Sequence, residues 1–198
     1  MIAARHLCFV ACLQKAARDG VGAEIDQVVI ANHLGVVVPV GYDPSELADS
    51  GVQNIRFDAD ASAWGINPVV SEINVLLGAH SRLACQFESI ANFQDWDFEK
   101  RLIELTESGQ FPVVCFEYNA LFGPRMQRDQ GHCVIVRRLQ RLNGHTAVEI
   151  DDPGPDNAGI KSVDCETLYY ACRKRHGGIW SFIPEAQGGG PPGLNLRT

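Results

Sequence analysis

The sequence predicts an α+β fold in which a helical N-terminal half packs against an antiparallel sheet built mainly from the second half. Three observations carry this expectation. Apolar residues recur at helical spacing in Cys8 to Arg18 and in Asp95 to Ser108. β-Branched and aromatic residues concentrate after position 111, as in FPVVCFEY and HCVIVRRLQRL. Asn143-Gly144 stands between two such runs, the strongest short hairpin signal in the chain.

Taken in order, Cys8 to Arg18 places Val10, Leu13 and Ala17 on one stripe and ends before Asp19-Gly20. Glu24 to Leu34 reads as a second helix stopped by Gly35, which suits a left-handed terminus. Val36-Val37-Val38-Pro39 is an extended connector, and Asp43-Pro44-Ser45-Glu46 opens a short helix with proline in its first turn. Asn67-Pro68 opens an amphipathic segment through Leu77, ended by Gly78. Arg82 to Ile90 alternates as a strand, and Asp95 to Ser108 carries Phe98, Leu102 and Leu105 along one face. Phe111 to Tyr118 is a strand, Asn119 to Gln130 a loop, and the hairpin follows. Ser162 to Arg175 reads as a short helix, and Gly178 to Ile183 as a last strand. A chain of 198 residues suits one domain, since roughly 100–200 residues per domain is usual. That domain is expected over residues 1–184, followed by a disordered, Gly/Pro-rich tail over 185–198.

Composition narrows the functional classes. A net charge of −7 argues against binding nucleic acid by phosphate neutralisation. The first ten residues lack the basic region, long apolar core and cleavage site of a secretory signal, and no apolar run is long enough to span a bilayer. A reducing cytoplasm is the expected compartment, and seven cysteines there are more simply free thiols than disulfides. Cys8 and Cys12 are four apart on one helical face, but no second Cys or His pair at ligand spacing follows, so neither a metal nor another cofactor is expected.

The residues with chemistry to offer are Cys8 at the start of the first helix, His132 opening a strand, and Asp151 and Asp152 closing the next one. A helix N-terminus and a neighbouring imidazole both favour a thiolate, and a carboxylate beyond the imidazole orients it. The order Cys, His, Asp therefore suggests a cysteine hydrolase. Which aspartate serves depends on register. A two-residue loop pairs Leu142 with His145 and puts Asp151 opposite Val136, on the His132 face. A three-residue loop with a bulge shifts the alternation and brings Asp152 there instead.

These motifs give the chain a family resemblance. Cys8-Phe9-Val10-Ala11-Cys12-Leu13, Gly131-His132 with Val134 and Val136, and Asp152-Pro153-Gly154 together resemble papain-like cysteine peptidases. The similarity is greatest to the bacterial peptidases that remove double-glycine leaders from bacteriocin precursors. It extends from about Leu7 to Ile183. The resemblance implies a papain-like fold and a Cys8-His132-Asp152 triad, with Asp151 as the alternative, acting on a peptide or protein substrate through a thioester without a cofactor. Two departures stand out. The family's oxyanion-hole glutamine falls at Ile2, and the glycine that usually follows the nucleophile is Phe9. His6, Gln14 and Gln130 are the side chains that could replace the missing donor, with Trp64, Trp96 and the loop Asn119 to Gln130 as candidate walls of the cleft. Because an oxyanion donor is worth roughly 10²–10³ in rate, an acyltransferase or amidase, or an inactive binding module on the same scaffold, stays open beside the peptidase.

Overall fold

The computed structural model describes residues 7–61, 64–124, 130–142, 144–155 and 158–184. Helix α1 (Cys8–Val21) buries Val10, Leu13 and Ala17 as its periodicity requires. It runs through Gly20 and ends on Gly22, whose φ of 69° permits the left-handed terminus, one turn beyond the expected stop. Helix α2 (Gln27–Leu34) begins later than Glu24 because the Asp26 carboxylate caps the Val28 N–H at 2.7 Å. Val36–Pro39 is more than a connector. It forms strand β1, paired in parallel with β2 (Ile55–Asp58) after the short helix α3 (Ser45–Asp49). The β2 run is too short and too exposed to carry a clear alternation. Helix α4 (Val70–His80) passes through Gly78 rather than stopping there.

The main sheet has six strands in the order β3-β8-β4-β5-β6-β7, every neighbouring pair antiparallel. They are β3 (Leu83–Ser89), β4 (Val113–Glu117), β5 (Gly131–Leu142), β6 (His145–Asp152), β7 (Gly159–Asp164) and β8 (Gly178–Pro184). Helices α5 (Asp95–Glu107), α6 (Tyr118–Phe122) and α7 (Cys165–Lys174) complete the chain. Two expectations change here. The loop predicted after Tyr118 opens with α6, where the Glu117 carboxylate accepts from the Asn119 and Ala120 amides. The helix predicted from Ser162 starts at Cys165, because Ser162 and Val163 pair with β6 and Asp164 caps the helix through the Thr167 amide. Residues 185–198, expected as a tail, lie outside the described residues.

The sheet is covered on both faces, and the two cores are distinct. Cys133 and Ile135 of β5, with Val113, Trp180 and Phe182, pack with α1, α2 and α4. Val134 and Val136, with Val114, Phe116 and Ile150, pack with α5 and α7. The alternation along β5 thus places consecutive residues in opposite cores, which matters where Cys133 follows His132.

The aspartate register resolves through a bulge. Leu142 does pair with His145, as a two-residue loop requires, and Gly144 adopts a φ of 86°. Arg137, however, has no partner in β6, so Val136 faces Ile150 and Asp151 faces Ile135. This extra residue shifts the alternation by one and brings Asp152 to the His132 side. The shift that the three-residue loop would have supplied sits mid-strand instead.

The link from α7 into β8 is sterically closed. A Cβ at Gly177 would stand 2.2 Å from the Cys115 carbonyl oxygen, a backbone atom that cannot swing away. Gly177→Ala is expected to destabilise the protein by about 1–3 kcal/mol, read as a lowered thermal midpoint, because such overpacking forces backbone displacement.

Candidate functional site

Cys8 is the first residue of α1. The first bond of that helix runs from the Ala11 N–H to the Leu7 carbonyl at 2.9 Å, so the amides of Cys8, Phe9 and Val10 have no intrahelical partner. Leu7, at the N-cap, has no side-chain oxygen to satisfy them. These N–H groups and the helix dipole favour negative charge at this point.

The thiol meets β5 at its first residues, with Cys133 and the His132 ring beside it in the same cleft. Its pKa lies well below the ordinary thiol value. The Cys133 hydrogen bond lowers it most, burial opposes this, and the hydrogen bond and charge of His132 lower it further. His132 moves the other way. Burial would lower its pKa, but hydrogen bonds to Asp152 and Cys8, and their charges, raise it to about 9. Both shifts favour a thiolate beside an imidazolium.

Asp152 is fully buried. Its Oδ1 accepts from His132 Nε2 at 2.7 Å and from the Gly154 N–H at 2.8 Å, and its Oδ2 pairs with the Lys161 ammonium. Burial alone would raise this carboxyl, yet these three donors and the His132 charge hold it at about 2. Because Nε2 is committed to Asp152, Nδ1 is the nitrogen left for the thiol. Phe116 and Tyr118 wall the imidazole with T-shaped contacts at 5.7 and 5.5 Å.

Asp151, the alternative, points elsewhere: its carboxylate lies 3.5 Å from Lys15 and 3.6 Å from Arg137. The bulge at Arg137 explains why. Among the oxyanion candidates, Gln14 is already engaged. Its amide donates to the Ile25 carbonyl at 2.7 Å and accepts from Gln27 at 3.0 Å, tying α1 to α2. Gln130 joins the strand ladder through its carbonyl, which accepts from the Tyr118 N–H at 2.8 Å. His6 and Ile2 lie outside the described residues. The amides of Cys8, Phe9 and Val10, without intrahelical partners, lie at the helix end that carries the sulfur.

A cleft opens at Cys8 and His132, of about 280 Å³, lined by Phe9, Trp64, Phe87 and Trp180 among others. Trp64 is a wall as expected, whereas Trp96 is an exposed residue of α5 away from the cleft. Several lining residues carried no signal in the sequence. Arg175 and His176 follow α7, in text that reads as an ordinary helix end. Cys115 and Cys133 read as apolar strand positions. Lys161, which reaches Asp152 rather than the cleft, lies in a segment where no strand was expected. Among the described residues, no group of three or more His, Cys, Asp or Glu side chains is arranged to hold a metal ion. No described helix is long and apolar enough to cross a membrane.

Comparison with known proteins bears on the fold. No family model matches the chain, and no curated protein does. Among solved structures, it is similar to the crystal structure of a candidate C39-like peptidase from Bacillus anthracis. The TM-score is 0.56 and the identity 14%, with 92% of this chain and 91% of that one covered. The chain shares the α+β fold of that structure.

Two pH effects follow from these shifts. Iodoacetamide should label Cys8 rapidly at pH 6, where an ordinary thiol of pKa ~8.5 is only roughly 0.3% thiolate. In His132→Ala the labelling profile should move to higher pH, measured by peptide mass spectrometry. Asp152 is lowered from 3.8 to about 2, so its stabilising contribution is present above 3.8 and lost as pH falls towards 2. The thermal midpoint should drop across that window, and less so in Asp152→Asn.

Proposed function

We propose that this protein is a cysteine peptidase in which Cys8 is the nucleophile, His132 the general base and acid, and Asp152 the group that orients the imidazole. The observation that supports this most directly is the His132 ring, hydrogen-bonded to a buried Asp152 at 2.7 Å, standing with Cys8 at the wall of one cleft. The Cys8 thiolate attacks a peptide carbonyl, and the developing oxyanion is met by free amides at the α1 N-terminus. His132 then gives its proton to the leaving amine as the thioester forms. It next takes a proton from water, which attacks the thioester and restores the thiolate. Lys161 neutralises the second carboxylate oxygen, so Asp152 stays ionised while it holds the ring.

The cleft is small for a ligand site, and its aromatic walls leave room for one or two residues rather than a large body. One feature has charge. The Arg175 guanidinium lies against the α-carbon of Gly131, where an added Cβ would be 2.7 Å from Nε. Arg175 forms no ion pair among the described residues. Facing a peptide in the cleft, it favours a carboxylate on the substrate.

The test is cleavage of a peptide library by the wild type, Cys8→Ala, His132→Ala and Asp152→Asn. Loss of about 10³-fold or more is expected for the first two and roughly 10²–10⁴-fold for the third. Slow labelling of Cys8, together with no cleavage, would overturn the reading and leave a binding scaffold. Acyl transfer to an added amine in preference to water would make the enzyme an acyltransferase. Peptidyl chloromethyl ketones with Glu, Gln or Lys next to the terminal residue examine Arg175. The Glu-to-Gln ratio of Cys8 labelling rates should exceed one in the wild type and fall towards one in Arg175→Gln.

A further inference from the structure

The nucleophile does not stand alone in its pocket. Cys133 borders Cys8 on one side and its Sγ lies 2.7 Å from Cys115 Sγ on the other. All three are free thiols, and all three line the same cleft. The backbone places the outer two with care: Cys115 and Cys133 are direct cross-strand partners in the β4–β5 ladder. Opposed residues in an antiparallel pair have Cα separations of about 4.5–5.5 Å, within the span that a disulfide bridges. The other cysteines are elsewhere. Cys12, one helical turn on, is sealed in the core with its pKa pushed well up by burial, and Cys85, Cys165 and Cys172 are likewise buried.

We propose that Cys8, Cys133 and Cys115 form a thiol relay that reduces a hydroperoxide and returns Cys8 to its reactive state, with Cys115 and Cys133 left as a disulfide. The inference rests on Cys8 being a nucleophile but needs no peptidase activity. The steps balance. The Cys8 thiolate attacks the peroxide oxygen and breaks the O–O bond, giving Cys8–SOH and an alkoxide that takes the proton from His132. The Cys133 thiol attacks the sulfenic sulfur, forming a Cys8–Cys133 disulfide and releasing water. Cys115 then attacks Cys133 Sγ, forming the Cys115–Cys133 disulfide and expelling Cys8 as thiolate. The Cys115 proton passes to His132, so the imidazolium is restored. In sum, two thiols and one hydroperoxide give one disulfide, one alcohol and one water.

Direction follows from thiol acidity. In thiol–disulfide exchange the more acidic thiol leaves faster. Cys8 is held well below the ordinary thiol value, while Cys133 is pushed well above it by its interactions with Cys115 and Cys8 and by burial. A disulfide that includes Cys8 is thus the one most readily opened, and the cross-strand disulfide is the resting product. A low-pKa thiolate open to solvent is otherwise the group most exposed to irreversible sulfinic acid formation.

The full-length protein, treated with one equivalent of tert-butyl hydroperoxide and mapped under non-reducing conditions, tests this. The expected product is a Cys115–Cys133 disulfide with Cys8 still alkylated by iodoacetamide. Cys115→Ala should stop at Cys8–Cys133. In Cys133→Ala, sulfinic acid at Cys8 should form roughly tenfold faster than in the wild type. Two results would sink the relay: sulfinic acid at Cys8 of the wild type as fast as in Cys133→Ala, or the Cys115–Cys133 disulfide forming equally fast in Cys8→Ala. The wild-type result decides even where a variant folds poorly. Fast alkylation of Cys8 without the disulfide overturns the relay alone, whereas slow alkylation overturns the peptidase reading as well.

Discussion

An ionised carboxylate with no exposure to water is the constraint on which the rest of this site depends. Isolated, such a group would cost so much to bury that it would take up a proton instead. Asp152 keeps its charge because three donors from three places reach it: the His132 ring, the Gly154 amide and the Lys161 ammonium. Each donor makes a demand on the fold. His132 must stand near the start of β5, Gly154 must turn back immediately after β6, and β7 must pair with β6 so that Lys161 arrives beside the carboxylate. Gly154 has little room for a side chain, since an added Cβ would sit 3.0 Å from Asp152 Oδ1 and 3.4 Å from the His132 ring. The Asp-Pro-Gly sequence is therefore a packing requirement of the buried charge as much as a turn signal.

The same constraint propagates to the sulfur. A carboxylate fixed on Nε2 leaves one imidazole nitrogen and one ring orientation, so α1 must deliver Cys8 to that nitrogen. The helix does this from the opposite side of the sheet, its apolar stripe seated on Cys133, Ile135 and Trp180. Residues 132 and 133 belong to different faces, yet both meet the thiol, because contact is made at the first residues of β5. This explains why a cysteine rather than a larger residue stands at 133. The position faces α1 where the helix terminus, the Cys8 thiol and the strand converge, and Cys133 is almost wholly enclosed there.

Much of this was legible in the sequence, for reasons that differ by element. Helices α1 and α5 follow from apolar spacing because each buries a single stripe. The pairing of Cys8 with His132 follows from residue type and chain order together, neither sufficient alone. The aspartate was readable only as a choice between 151 and 152. Its answer lies in a bulge at Arg137, and a bulge one residue long in a run of charged and apolar side chains leaves no compositional trace. Strands β1 and β2 escaped because parallel pairing of two four-residue segments gives too little alternation to detect. Lys161, Arg175 and the sulfur neighbours of Cys8 escaped for a more general reason. Their roles come from contacts between residues far apart in sequence, each of which is ordinary where it stands.

Phe9 marks where the residues depart from the family resemblance while the physics does not. Glycine after the nucleophile leaves space beside the thiol; phenylalanine fills it. Its ring is buried edge-on against Trp180 at 5.3 Å, and Trp180 in turn packs against Phe87 at 4.4 Å. The three rings form one wall of the cleft. Replacing glycine by phenylalanine removes no backbone N–H, so the amides at the α1 N-terminus still face the position where an oxyanion would develop. The substitution acts on shape rather than on charge. It narrows the space beside the sulfur and anchors the helix N-terminus to β8, stiffening the same amides on which transition-state stabilisation would rely. A donor set drawn from a helix end needs such anchoring, because terminal turns fray unless a side chain pins them.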